Sequence, residues 1–173
     1  WPGYGEKPWY LVIGVGDPSI QLLCFNAMPY ILAYISRSTV NNTPEILDDI
    51  AIKSSNNNSK LGVTGVLLLN GNYFFQVLEG REDIVKALYN KIEQDSRHSE
   101  AKIVLQCDNN ESLFNEWFMR AFNLDDYYDV NMSKFRKSLN DTIGKEISSK
   151  NDVLSLIKSF RRLVIETNQY RKT

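Results

Sequence analysis

Histidine occurs once in 173 residues, at His98, and cysteine twice, at Cys24 and Cys107. One imidazole excludes a histidine-rich metal centre, and a Ser-His-Asp arrangement would have to hang on the single segment "DSRHSE". Two cysteines without paired spacing suit buried thiols in a reducing compartment better than a disulfide framework, so a cytoplasmic location is expected. No apolar run reaches the roughly 18 to 20 residues of a membrane span, and no membrane partner is expected. A starting methionine is lacking as well; the chain begins at Trp1 and reads as a piece of something longer. Net charge is almost absent, at -1, but it is unevenly spread. Residues 31–128 hold nine Lys/Arg against fourteen Asp/Glu, whereas residues 129–173 hold ten against five. An acidic body argues against nucleic acid as a partner, because phosphate recognition rests on Lys and Arg. The basic tail reads as a solvated helix face.

With 43% apolar residues the chain can bury one ordinary core, so one domain with appendages is expected. Residues 1–30 form an N-terminal extension in which "WYLVIGVG" and "IQLLCF" are strand-like and "GDPS" is a turn. The "GVGDPS" piece superficially suggests a dinucleotide loop, but Pro18 interrupts it and Ser19 stands where a glycine is needed. A regular pattern starts at residue 31. "ILAYISR" predicts a strand; Thr43 and Pro44 predict a helix start, with Leu47, Ala51, Ser54 and Asn58 on one stripe before the helix fades in "SNNNSK". "GVTGVLLLN" and "NYFFQVLEG" predict a hairpin around Asn70 and Gly71. "EDIVKALYNKIEQD" predicts a second helix with Ile84, Leu88 and Ile92 inward, and "KIVLQC" and "EWFMRAF" two more strands. This order is an α+β fold: a ferredoxin-like split βαβ with a five-stranded mixed sheet, two helices on one face and C-terminal helices in addition. The boundaries are 31–124 for the domain and 125–173 for a helical cap or connector. In the latter, Val153, Leu156, Ile157, Phe160, Leu163 and Val164 make an apolar stripe that needs the open sheet face or a second copy of the chain to cover it.

The third strand poses a question. Side chains alternate between faces, so Phe74, Gln76 and Leu78 share one side and Tyr73, Phe75 and Val77 the other, and neither side is polar. A buried amide without partners costs about 1 to 3 kcal/mol, so the sequence must supply Gln76 with partners or leave the fold weaker. Tyr34 on the neighbouring strand can donate to it, and Asn58, Trp117 and Met119 converge on the same region. If "EWFMRAF" is a strand throughout, Trp117 and Met119 share the Gln76 face while Phe118 and Arg120 take the other. Taken singly, Tyr34 is a core tyrosine, Met119 a gap-filler and Asn58 a helix C-terminal residue.

Taken together, these residues, with "NNNSKLGVTG", "FFQVLEG" and "DSRHS", make residues 31 to about 122 resemble a BLUF domain, the flavin-binding blue-light sensor. The resemblance implies FAD, or alternatively FMN, between the two helices. Ile50 and Ile92 would be the walls and Asn58 the polar contact, with Asn57, Lys91 and Asp95 touching or flanking the ring. It implies that Tyr34, Gln76, Met119 and Trp117 are the photoactive residues, with the Gln76 amide rotating or tautomerising after light. The resemblance extends to the sensor module of photoactivated adenylyl cyclases, which implies an effector domain or partner protein, and a homodimer is expected. The chain itself is then a sensor, not an enzyme. The rival reading is an RNA-binding module displaying Tyr73 and Phe75 on an open sheet, though the basic residue and glycine expected before the aromatics are absent. An acylphosphatase-like enzyme fails for want of a phosphate loop.

Overall fold

The structure is a computed structural model, and it describes residues 28–40, 43–115, 117–144 and 149–167. The strand-like segments expected within residues 1–27, and Cys24, lie outside the described residues. The chain runs β1 (Tyr30–Ser38), α1 (Pro44–Leu61), β2 (Thr64–Asn70), β3 (Tyr73–Gly80), α2 (Glu82–Glu93), β4 (His98–Asp108), β5 (Arg120–Asn123), a short 3-10 turn, α3 (Val130–Ile143) and α4 (Lys150–Thr167). The sheet order is β4-β1-β3-β2-β5, antiparallel except that β5 runs parallel to β2. This is the expected split βαβ sheet with one added strand.

The α1 start follows from its capping chemistry: Thr43 stays extended and its hydroxyl accepts from the Ile46 N–H, and Pro44 occupies the first turn. Thr43→Ala is expected to lower stability by about 0.5 to 1 kcal/mol, the lower part of the capping range because the bond is long at 3.4 Å. Urea unfolding would read this. The helix does not fade in "SNNNSK" but continues to Leu61, where Gly62 at φ 66 closes it in the left-handed conformation. Buried Asn58 anchors this polar last stretch, so tertiary contact overrides weak propensity. The hairpin forms one residue later than expected: Asn70 pairs with Tyr73, and the two-residue loop is Gly71–Asn72, with Gly71 at φ 58. On α2 the fully buried residues are Val85 and Tyr89, while Ile84, Leu88 and Ile92 are half-buried along its flank.

Both sheet faces are covered. On one, α1 and α2 pack over Tyr30, Leu32, Tyr34, Leu67, Leu69, Phe74 and Leu78. On the other, α3 supplies Met132, Phe135 and Leu139, and α4 supplies Val153, Ile157, Phe160 and Val164, packed over Ile31, Ala33, Val66, Leu68, Phe75 and Val77. The tail stripe therefore finds its cover on the chain's own sheet. Five large side chains of α4 (Val153, Leu156, Ile157, Phe160 and Val164) are at most 5% exposed. At about 1.5 to 3 kcal/mol for each large side chain, that burial suffices to hold the helix in place. The cover also removes the open aromatic platform of the RNA-binding reading: Phe75 is 3% exposed, and Tyr73, at the start of β3, lies under the Arg37 guanidinium. Among the described residues, no helix is long and apolar enough to cross a membrane.

Candidate functional site

Tyr34 and Gln76 are direct cross-strand partners, Tyr34 on β1 and Gln76 on β3. Alternation sends both to the α1/α2 face, where Tyr34 is fully buried and Gln76 is 5% exposed. The Tyr34 hydroxyl donates to Gln76 Oε1, and the other end of the amide, Nε2, stands 3.7 Å from Met119 Sδ. This answers the question of the buried amide: a phenol satisfies one end and a thioether faces the other. Burial, then the nearby Tyr89 and Asp95, raise the Tyr34 pKa far above its ordinary value, so its hydroxyl stays a donor across the working pH range. The Tyr89 ring meets Tyr34 edge-on at 5.1 Å.

The helices divide the sheet between them. α1 packs against β2 and β5, and α2 against β1, β3 and β4, so the Tyr34–Gln76 pair lies near the division. Ile50 of α1 is buried, Ile92 of α2 is half-buried, and both belong to the apolar layer around this pair. Asn58, 2% exposed, turns its amide inward and donates from Nδ2 to the Phe118 carbonyl at 2.8 Å. Asn57 and Lys91 are exposed. Asp95 follows α2 and is gripped by Arg97 at 2.9 and 2.5 Å, which lowers its pKa to about 2.

Trp117 is the residue that sequence reasoning misplaced. It does not share the Gln76 face: it is buried on the α3/α4 side among Phe114, Phe122 and Leu113, whereas Met119 is buried on the α1/α2 side. The reason is local. β5 begins only at Arg120, so residues 117–119 are not a strand and strict alternation does not apply to them. Phe118 is half-exposed at 41%, and the Arg120 guanidinium lies over the Trp117 ring at 4.7 Å.

Two residues join the site without having been assigned to it. Ser36 and His98 are bonded, Oγ to Nδ1, at 2.8 Å, and the imidazole packs against Tyr34 at 6.2 Å and Phe74 at 5.1 Å between ring centres. Burial lowers the His98 pKa, opposed by Asp95, so the ring is neutral at pH 7. His98 reaches this face because β4 is irregular. Its pairing with β1 shifts between Ala33 and Tyr34 and again between Ile35 and Arg37, and within the second irregularity Glu100 adopts φ 53. Each shift adds one residue to β4, and the second, at Glu100, sets His98 instead of Ser99 opposite Ser38 and so on the Ser36 face. Sequence alone offers no sign of it except the "DSRHS" motif itself.

Aliphatic side chains from two helices, Ile50 and Ile92, together with the buried Gln76 and Asn58 amides that both reach the 118–119 segment, suit a planar, mainly apolar ring with a polar edge. The donor set therefore fits a flavin. Comparison with known proteins agrees. The photoactivated adenylate cyclase subunit alpha of Euglena gracilis is 32% identical over 96 residues, which is 54% of this chain and 9% of that one. The chain thus spans about a tenth of the length of such relatives. A bacterial light-regulated adenylyl cyclase superimposes with a TM-score of 0.63 at 29% identity, covering 74% of this chain and 36% of that chain. BlrB, a BLUF protein in its dark state, gives a TM-score of 0.63 at 26% identity and covers 79% of this chain and 97% of its own. The family model for sensors of blue light using FAD matches residues 30–120, and with that match over half its length this chain belongs to the BLUF family of flavin-binding blue-light sensors.

Proposed function

We propose that the flavin is FAD, held between α1 and α2 by Ile50 and Ile92 with Asn58 at its polar edge, and that Tyr34 and Gln76 convert light into a changed hydrogen-bond pattern. The observation that carries this is the buried Tyr34–Gln76 bond with Met119 behind the amide. When bound and illuminated, flavin supplies a strong oxidant. The residues do the rest. Tyr34 is the buried donor whose proton can move along its bond to Gln76. The amide, carrying an acceptor at one end and a donor at the other, can return in a different arrangement that presents a new donor to the cleft. Met119 is a soft neighbour that tolerates either end of the amide. Asn57, Lys91 and Asp95 would flank the cofactor, and Trp117, on the opposite face, would act only through the chain segment it shares with Met119.

In this reading residues 31–124 are the sensor and residues 125–173 the connector to an effector domain or partner protein, in a cytoplasmic homodimer. Adenylyl cyclase is the proposed effector, supported by the named relatives. The test is direct: the purified chain, reconstituted separately with FAD and FMN, is expected to be yellow, to hold FAD more tightly, and to shift its absorption to the red under blue light with reversal in the dark. Colourless protein after both reconstitutions would overturn the reading.

A further inference from the structure

Glu79 is the buried acid that the light reaction does not use. It lies on β3 three residues beyond Gln76, on the opposite face, and is 2% exposed. A carboxylate there is costly unless its oxygens are occupied. Both are: one accepts from the Ser112 hydroxyl and the other from the Leu113 N–H at 2.8 Å. Burial raises its pKa, while these two bonds and the nearby Arg161 act the other way. Arg161 does not pair with the carboxylate; its Nε donates to the Leu113 carbonyl at 2.5 Å, from α4. One turn earlier, Lys158 stands 3.7 Å from Glu111. The 111–113 stretch is thus held from β3 on one side and from α4 on the other.

The same stretch continues into the light site. The Phe114 carbonyl accepts from the Trp117 N–H at 2.8 Å and the Trp117 carbonyl from the Gly65 N–H at 2.7 Å. The Phe118 carbonyl takes the Asn58 amide at 2.8 Å, and Met119 faces Gln76. We propose that Glu79 is a positioning residue: its carboxylate pins Ser112 and Leu113 to β3, so that the segment they begin holds Met119 against Gln76 at one end while the other is tied by Arg161 to α4. The inference rests on the blue-light reading above. It makes a rearranged Gln76 amide felt at α4 through one short, bonded segment, and it assigns the two ends of the clamp different duties.

The test uses the flavin-loaded full chain. Glu79→Gln keeps the shape and one acceptor oxygen but puts an NH2 donor where the second oxygen accepted, so one of the two bonds is lost; it is expected to speed dark recovery by about threefold to tenfold, the range a single weakened hydrogen bond produces. Arg161→Ala is expected to leave the spectrum and its recovery unchanged but to remove the light-minus-dark difference in hydrogen exchange over residues 149–167. Wild-type recovery in Glu79→Gln, or an intact exchange difference in Arg161→Ala, would overturn the proposal. If Glu79→Gln does not fold, Ser112→Ala takes its place with the same expectation. A wild-type chain that shifts to the red but shows equal α4 exchange in light and dark also overturns it. A wild-type chain with no red shift overturns the blue-light reading itself.

Discussion

Tyr34→Phe is expected to abolish the light-driven red shift while leaving the flavin bound. The substitution removes one oxygen atom and nothing else of the packing: the ring still fills its fully buried position against Tyr89. What is lost is the only donor that reaches Gln76 Oε1 among the described residues. Gln76→Leu is expected to do the same from the other side, because leucine has neither the acceptor that receives the Tyr34 proton nor the donor that would appear afterwards. Its volume is close to that of glutamine, and it joins a layer already made of Leu67, Leu78 and Phe74, so the fold is retained. In the proposed reading binding is carried by Ile50, Ile92 and Asn58, none of which is substituted in either variant. Difference spectra before and after blue light, with bound flavin quantified, would check both. A full red shift in either variant would remove that residue from the photochemistry.

Phe160→Ala has the largest expected effect on stability, a loss of about 3 to 5 kcal/mol, typical of truncating a buried aromatic. Phe160 is 1% exposed and sits between Phe122 of β5 at 5.3 Å and Phe135 of α3 at 5.1 Å. Its removal opens a space at the meeting point of three elements in a close-packed layer. The damage is confined to the face away from Tyr34 and Gln76. Urea unfolding of the flavin-loaded protein should therefore show a sharply lower midpoint, while the dark absorption spectrum of the folded form is unchanged. A loss below about 1 kcal/mol would mean that α4 is not docked as described.

Whether a residue's place could be read in advance depended on how regular its backbone is. Tyr34 and Gln76 were placed correctly because both sit in regular strands, where a period of two fixes the face. The α4 stripe was legible for the matching helical reason, though which surface covers it depends on the sheet face that the other helices leave free. Trp117 was not legible, because the strand pattern of "EWFMRAF" was extended to four residues ahead of Arg120, where pairing begins. Glu79 and His98 were missed for a further reason. Their partners, Ser112 and Leu113 for the one and Ser36 for the other, lie more than thirty positions away. No local pattern announces a partner at that distance, and a lone glutamate or histidine reads as solvated until one is found.

The two irregularities of β4 give that strand the character of a text with shifted reading frames. Residues on either side of Glu100 are in different phases, so the face on which His98 lands is set by a count of residues and not by its chemistry. A substitution at Glu100 changes a surface side chain, whereas a one-residue deletion there would transpose His98 and Ser99 and put a hydroxyl where the imidazole meets Tyr34. Among homologous chains, length variation in this short stretch would then be a sharper mark of altered light response than any exchange of residues within it.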